Sequence, residues 1–405
     1  MNNSERLTTI LKHSVDKSKY YRDLNIKDCF IDITCFPILT KKLLFDYKNE
    51  IIIDEYKNTL LKECSVHLSS GTVGKPIEVY WHYNDEMLSN LSLWRLRAKF
   101  HDIKPSNRLC TLHTTNYSWN RISDYKKIVY SKDQKTLSLC KLFFDDENLL
   151  QYYNEIMKFQ PEWMFFQPSN FVKLTEFMIR NNLKKPGSIR YIEFTGEFLL
   201  SEAVKLVKEF YNCDYSNMYG TTETNGIAYT CPYGQMHVLK DNVFLEVDHG
   251  DHGKVRVTSL TNRVFPLIRY EVGDMLKLNK CNHCMCGQSG TVIEEISGRQ
   301  QNVVQFQDGN TISEAVIMSI MDRVNSLTGS VIREYKTQFS LKEGTINFLL
   351  YIDSKHKARQ HVIEEEFHKV MSIFFNFIDD VTVSFVYEPI KIQENGKFAI
   401  LEVIE

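Results

Sequence analysis

Two groups of residues in this chain have the types and spacing to do chemistry. The first is the string Ser69, Ser70, Gly71, Thr72, Val73, Gly74, Lys75 and Pro76. Glycines let backbone N–H groups turn toward an anion, the hydroxyls add donors, and Lys75 adds a point charge, so the composition suits a phosphate. A Walker loop is excluded, because G-x-x-x-x-G-K-[ST] needs Gly at 69 and Ser or Thr at 76, where the chain has Ser69 and Pro76. Taken alone, the string reads equally as a hydrophilic turn. The second group is CNHCMCG, which carries Cys281, Cys284 and Cys286, with Cys231 and His237 bracketing the turn CPYGQMH earlier in the chain. Thiolates and imidazole at such spacing are typical zinc ligands, and four of them close a structural site. Small buried thiols are the competing reading. His283 is the weaker histidine, because its adjacency to Cys284 makes joint ligation awkward.

The whole chain limits the partners. Over 405 residues, 49 Lys and Arg against 51 Asp and Glu leave a net charge of −2, with no electrostatic basis for binding nucleic acid or an anionic membrane. The content of 43% hydrophobic and 25% charged residues is that of a globular protein with a substantial core. Glu5, Arg6 and Lys12 interrupt the first fifteen residues where a secretory signal would need an apolar stretch, so a cytoplasmic location is expected. The strongest apolar runs fall far short of the roughly 18 residues that a membrane span requires. Ten cysteines in so long a chain read as reduced thiols or metal ligands, not as a disulfide framework.

The elements that must position these residues follow from periodicity. Residues 3–14 and 35–48 have helix-like spacing, and the polar stretch after them places the glycine-rich string on a loop. SIRYIEFTGE and YNCDYSNMYGTTET each read as a strand feeding a turn rich in Gly and hydroxyls, and SEAVKLVKEF reads as a helix. That alternation predicts a mixed α/β body. From Gly253 to Leu278, KVRVTSL and PLIRYEV predict strands and a small β subdomain. Beyond residues 297–302 the pattern changes. Ile363, Phe367, Val370, Met371 and Phe374 form one apolar helical stripe, while TINFLLYI and VTVSFVY alternate like strands. The expected organisation is a large α/β unit at 1–298, a hinge at 299–303 and a small α+β unit at 304–405.

An ordered series of strings gives the chain a family likeness. After SSGTVGKP come TGE (Thr195 to Glu197), YGTTE (Tyr219 to Glu223), RYEVGD (Arg269 to Asp274), SGR (Ser297 to Arg299) and NGK (Asn395 to Lys397). In order and spacing the chain resembles the acyl-adenylate-forming enzymes, and within them the phenylacetate–CoA ligase group. The resemblance implies a multi-subdomain adenylation domain and a small mobile C-terminal lid. It also implies ATP-dependent activation of a carboxylic acid, aryl or arylacetic in type, as an acyl-AMP, followed by transfer to the thiol of coenzyme A. Transfer to a carrier-protein thiol or to an amine is the alternative, and a catalytically inactive nucleotide-binding protein is a further one. A homodimer is left open.

The resemblance also implies roles. Adenylation needs charge neutralised on a triphosphate while a carboxylate attacks the α-phosphorus. Residues Ser69, Ser70, Gly71, Thr72, Gly74 and Lys75 would cradle phosphates. Gly196, Glu197, Gly220 and Thr221 would belong to the nucleotide site, with Tyr219 beside the adenine and Thr222 near the phosphates. Glu223 would help to hold Mg²⁺, an ion that prefers oxygen ligands. Asp274 would accept hydrogen bonds from both ribose hydroxyls, since both carboxylate oxygens are acceptors. Arg299 would approach the ribose or phosphates, and Lys397 would bridge the attacking carboxylate and the α-phosphate. Phe166 and Gln167, within WMFFQPSNF, would contribute to the acid pocket. The likeness favours Cys231, His237, Cys284 and Cys286 as the zinc set and leaves Cys281 spare. The hinge would lie near Gln301, where relatives commonly have Asp or Lys and this chain reads GRQQN; the following VVQFQDGNTIS also lacks the family's usual pattern.

Overall fold

A computed structural model describes the chain except residues 1–2, 27–31, 69–76, 114–125, 142, 144–145, 375–381, 389–400, 405 and several short stretches between 300 and 353. The chain divides into two compact units, one of Met1–Leu199 with Ala203–Ile296 and one of Leu200–Glu202 with Ser297–Glu405.

The first unit begins with helices α1 (Asn3–Lys17), α2 (Lys19–Asp23) and α3 (Lys41–Ile51). The helical spacing read from residue 35 becomes a helix only at Lys41. Ile33–Cys35 close a 3₁₀ turn, Pro37 lacks a backbone donor, and Thr40 Oγ1 caps α3 by accepting the Leu43 N–H at 3.3 Å. The apolar faces of these helices, including Leu11, Tyr21 and Leu44, bury with Trp81 and Phe265 in one cluster. After α4 (Leu60–Glu63), strands β1 (Cys64–Leu68) and β2 (Glu78–His82) pair antiparallel from Cys64↔His82 to Leu68↔Glu78. The glycine-rich string falls between β1 and β2 in the chain and lies outside the described residues. Helix α5 (Tyr83–His101) follows.

The remaining strands of this unit are β3 (Leu109–His113), β4 (Ile128–Tyr130), β5 (Thr136–Cys140), β6 (Trp163–Phe166), β7 (Tyr191–Thr195), β8 (Asp214–Thr221), β9 (Asn225–Thr230), β10 (Met236–Val238), β11 (Val243–His249), β12 (His252–Ser259), β13 (Tyr270–Cys281) and β14 (Gly290–Arg299). Among the described residues they form one twelve-stranded sheet in the order β11-β12-β13-β14-β10-β9-β8-β7-β6-β3-β5-β4. Strands β5, β3, β6, β7 and β8 run parallel, joined in part by helices α6 (Asp146–Phe159), α7 (Pro168–Arg180) and α8 (Ser201–Leu206). Their carboxyl ends share one edge, the place where open α/β sheets form ligand sites. The expected separate β subdomain is corrected here. β12 and β13 are hydrogen-bonded into the large sheet through β14, so their inward faces share its core, including Val257, Leu276 and Ile293. The strand predicted at PLIRYEV starts only at Tyr270, because Arg269 takes a left-handed φ of 52°.

A buried polar cluster ties α5 to this sheet. Glu193 on β7, fully buried, accepts from Arg97 Nε at 2.8 Å, from Arg97 Nη2, and from the Tyr191 hydroxyl at 2.8 Å. The Tyr191 and Tyr229 hydroxyls share a 2.6 Å hydrogen bond, and the Arg97 guanidinium lies 4.7 Å from the Trp94 ring centre. A buried charge persists when its partner and hydrogen bonds are this complete.

In the second unit, strands β15 (Val303–Gln305) and β16 (Thr311–Ser313) pair as a small ribbon. Strands β17 (Ile332–Ser340), β18 (Thr345–Ile352), β19 (Thr382–Tyr387) and β20 (Leu401–Ile404) form a sheet in the order β19-β18-β17-β20. Helix α9 (Gln360–Phe374) sets Ile363, Phe367, Val370 and Met371 against Phe348 and Leu350, the packing that its apolar stripe predicts.

Candidate functional site

The first gathering of functional side chains lies where β8 ends. Tyr219, Gly220 and Thr221 close the strand, and Thr222, Glu223 and Thr224 turn the chain into β9. The turn is held internally, with the Thr224 N–H donating to Thr221 Oγ1 at 3.2 Å. Gly220 is obligatory on space alone, since a Cβ there would stand 2.4 Å from the Asn225 carbonyl oxygen. Two reciprocal bonds connect this turn to β13. The Tyr219 hydroxyl donates to Asp274 at 2.6 Å, and the Tyr270 hydroxyl donates to Glu223 at 3.0 Å. Both carboxylates are buried, so their rotamers are set before any ligand arrives.

The second gathering lies at the ends of the parallel strands. After β7, Gly196 takes φ +79°, and the Glu197 carboxylate accepts the Ser169 N–H at 3.1 Å in the first turn of α7, where the helix dipole favours an anion. Gln167 stands at the start of the same helix, its side chain beside Gly196 and its Oε1 accepting from Asn170 at 3.2 Å. Phe166, one residue earlier, is fully buried in β6 and packs into the core. Two residues that sequence reasoning passed over join this edge. Lys141 follows β5, and burial pulls its ammonium below the usual lysine range while Glu197 opposes that pull. His113 ends β3, and burial lowers its imidazole in turn, against the hydrogen bond to the Lys126 carbonyl. The available signal was positional: each is a titratable residue at or just past the end of an apolar strand.

The third gathering is the Cys and His set. Cys231, His237, Cys284 and Cys286 place one donor atom each within 4.8 Å of one another. The Cys231 and Cys284 sulfurs are 3.7 Å apart, and Cys286 Sγ lies 3.4 Å from His237 Nε2. A tetrahedron with Zn–S bonds of about 2.3 Å has edges of about 3.6–3.8 Å, so the donors fit zinc. Two turns of the same design deliver the sulfurs. In CPYGQ the Cys231 N–H donates to the Gln235 carbonyl and the Gly234 N–H to the Cys231 carbonyl, both at 2.9 Å. In CMCGQ the Cys284 N–H donates to Gln288 at 3.2 Å and the Gly287 N–H to Cys284 at 2.9 Å. Gly234 and Gly287 adopt φ of 79° and 82°, which glycine alone takes without strain. His237 enters from β10, paired with both β9 and β14. Cys281, at the end of β13, stands outside the four.

No family model matches the chain. It is 23% identical over 333 residues to the phenylacetate–coenzyme A ligase of Escherichia coli (strain K12), covering 76% of this chain and 72% of that protein. It is 24% identical over 224 residues to the indoleacetate–lysine synthetase of Pseudomonas savastanoi, covering 54% of each. In other alignments the chain spans about half, or less, of the relative's length. The structure of 2-hydroxyisobutyryl-CoA ligase in its postadenylation state superposes with a TM-score of 0.75 at 14% identity, covering 100% of this chain and 88% of that one. The chain is thus similar in sequence to phenylacetate–coenzyme A ligases and has the fold of an acyl-CoA ligase of known structure.

The remaining motif residues are placed unevenly. The described residues bring Tyr219, Gly220, Thr221, Thr222, Glu223 and Asp274 to one edge of the first unit, and Gly196, Glu197 and Gln167 to another part of the same strand ends. Residues 69–76, the hinge residue Gln301 and Lys397 lie outside the described residues. Arg299 ends β14, and its side chain is likewise outside them. Among the described residues no helix is long and apolar enough to cross a membrane.

Proposed function

We propose that the protein activates a carboxylic acid, aryl or arylacetic in type, as an acyl-AMP and transfers the acyl group to the thiol of coenzyme A, in the cytoplasm. The observation that carries this reading is the reciprocal Tyr219–Asp274 and Tyr270–Glu223 pairing, which holds the two motif carboxylates rigidly at the strand edge. In the first half-reaction a substrate carboxylate oxygen attacks the α-phosphorus of ATP and pyrophosphate leaves. Asp274 accepts the ribose hydroxyls, and Tyr219 orients that carboxylate while its ring lies beside the adenine. Ser69, Ser70, Gly71, Thr72, Gly74 and Lys75 cradle phosphates with Thr221 and Thr222, and Arg299 reaches the nucleotide. Bound Mg²⁺ supplies charge neutralisation on the triphosphate, and Glu223, already oriented by Tyr270, is the residue to hold it. Lys397 stabilises the charge shared between the attacking carboxylate and the α-phosphate, engaged when a small lid unit turning near Gln301 closes. In the second half-reaction a thiolate attacks the acyl carbonyl and AMP leaves.

Gln167 would contribute to the acid pocket, with Phe166 as its buried floor, and Gly196 and Glu197 beside it belong to the nucleotide site. The nearby ammonium of Lys141 favours an acid that carries a hydrogen-bond acceptor besides its carboxylate. The four Cys and His residues hold a structural Zn²⁺ that pins the β10 and β14 region, and replacing Cys284 and Cys286 by Ser is expected to abolish bound zinc by elemental analysis.

A second reading changes only the acceptor. The likeness to an enzyme named for joining indoleacetate to lysine, together with the unusual GRQQN segment, supports delivery to an amine or to a carrier-protein thiol. The deciding experiment is ATP–pyrophosphate exchange across a panel of carboxylic acids, followed by product analysis with coenzyme A, with amines and with neither. Acid-dependent exchange and a thioester that needs coenzyme A are expected. Exchange without a thioester moves the acceptor to the second reading. No exchange with any acid leaves a nucleotide-binding protein without catalysis.

A further inference from the structure

Three arginines from separate parts of the first unit line one recess of about 190 Å³. Arg6 comes from α1, Arg95 from α5, and Arg263 from the connection between β12 and β13. Leu88, Leu91 and Leu260 supply its apolar wall. Like charges drawn to one place repel unless an opposite charge answers them. The one carboxylate in the lining is Asp241, which lies 3.7 Å from Arg6 Nε, an ion pair too long for a hydrogen bond. Among the described residues the guanidinium groups of Arg95 and Arg263 make no hydrogen bond or ion pair, the Arg263 contact to Asp85 being made by its backbone N–H at 3.0 Å.

A second, independent observation lies at the same place. Thr261 lines the recess and is only 9% exposed, yet its hydroxyl has no hydrogen-bond partner among the described residues, and neither does the buried Nε of Arg6. A buried donor without an acceptor is costly, and such a group in a folded protein calls for an explanation. A wider recess of about 510 Å³ shares Arg6, Leu88, Leu260 and Arg263 and adds His13 and Lys17, with Glu55 and Asp85 as its carboxylates. Both carboxylates are engaged, Glu55 with Lys17 at 3.1 Å and Asp85 with the Arg263 N–H. The surroundings therefore do not answer the arginines.

Charge and shape say what does. Three guanidinium charges against the single charge of Asp241 leave two unanswered. A phosphate monoester carries about −1.5 to −2 at pH 7 and offers three acceptor oxygens, whereas a carboxylate brings one charge and two oxygens. The planar arginine fork matches phosphate oxygens in pairs. We infer that this recess binds a phosphate monoester, with its phosphoryl oxygens on Arg6, Arg95 and Arg263 and its organic part on Leu88, Leu91 and Leu260. Tyr219, Glu223 and Asp274 are not among the residues that line it, so this site and the proposed adenylation fail separately.

Isothermal titration calorimetry of the full chain with phenyl phosphate is the test, with inorganic phosphate and benzoate as the comparison probes. Phenyl phosphate is expected to bind about tenfold tighter than either. Arg95→Gln with Arg263→Gln removes two charged hydrogen bonds from exposed positions and should weaken it at least about a hundredfold, with an unchanged circular dichroism spectrum. Thr261→Val should weaken it about fivefold. Lys75→Ala, in the proposed phosphate cradle, tells the two sites apart. Absence of phenyl phosphate binding, or binding lost with Lys75 and kept by the arginine pair, overturns the recess as a site. Inorganic phosphate bound as tightly as phenyl phosphate, with the same dependence on the arginines, overturns the ester in favour of free phosphate. Benzoate bound as tightly, with that dependence, overturns the choice of phosphate over carboxylate.

Discussion

Two carboxylate–tyrosine clusters occupy the same sheet and serve opposite ends. Glu193 sits in the middle of β7, fully buried, where Arg97 supplies a full opposite charge and Tyr191 adds a third hydrogen bond. Asp274 and Glu223 belong to β13 and to the turn after β8, where Tyr219 and Tyr270 orient them with neutral phenols. The first cluster cancels its own charge. The tyrosines of the second fix the direction of the carboxylates they hold through neutral hydroxyl donors. The difference lies in the identity of the partner, a guanidinium for Glu193 and phenol hydroxyls for Asp274 and Glu223.

That contrast can be broken experimentally. The largest expected effect is on stability at the closed cluster. Glu193→Ala strands the buried Arg97 charge and should cost about 3–5 kcal/mol in denaturant unfolding, with activity per folded molecule retained. At the open cluster the effect should move to ligand binding. Asp274→Ala is expected to lower kcat/KM for ATP about a hundredfold, the worth of two hydrogen bonds from a charged acceptor, with the unfolding midpoint little changed. Tyr219→Phe removes one orienting bond and should raise the KM for ATP about fivefold. A destabilised Asp274→Ala, or an inactive but stable Glu193→Ala, would reverse the assignment.

The smallest effect is at Lys141, where burial depresses the ammonium pKa and Glu197 opposes the shift. The folded state disfavours the charged lysine. The stability cost is therefore fully present below the folded pKa and fades as pH rises through it toward the ordinary lysine value. Lys141→Met is accordingly expected to be the more stable protein at neutral pH, its advantage over the wild type shrinking in alkaline buffer. A pH-independent difference would mean that Lys141 is not held charged in this environment.

Legibility differed by region. TINFLLYI matches β18 (Thr345–Ile352), and the helical stripe in the second unit is seen in α9, because those patterns reflect one-sided burial at fixed periods. The strand expected at PLIRYEV begins late, and the helix expected from residue 35 begins at Lys41, because a left-handed residue and a cap interrupt patterns that hydrophobic spacing alone would continue. RYIEFTGE shows the limit for function. Glu193 and Glu197 are four residues apart in one string, yet one is a core ion-pair partner and the other faces the first turn of α7. Nothing in the string separates them, since the separating partners, Arg97 and Ser169, come from elsewhere in the chain.

By itself the sequence determined the α/β class, the two-part division of pattern near residue 297 and the presence of a Cys and His cluster, while the choice of four within that cluster and of the motif carboxylates came with the family resemblance. Class, division and cluster depend on residue type and short-range spacing, including the Cys-x-x-Gly-Gln turns, whose hydrogen bonds close within five residues. Tertiary structure alone decided that β12 and β13 extend the main sheet, that Tyr270 orients Glu223, and that Lys141 and His113 join the strand-end edge. Each of those depends on contacts between segments distant in sequence, where the physical chemistry of a side chain is set by what the fold brings beside it.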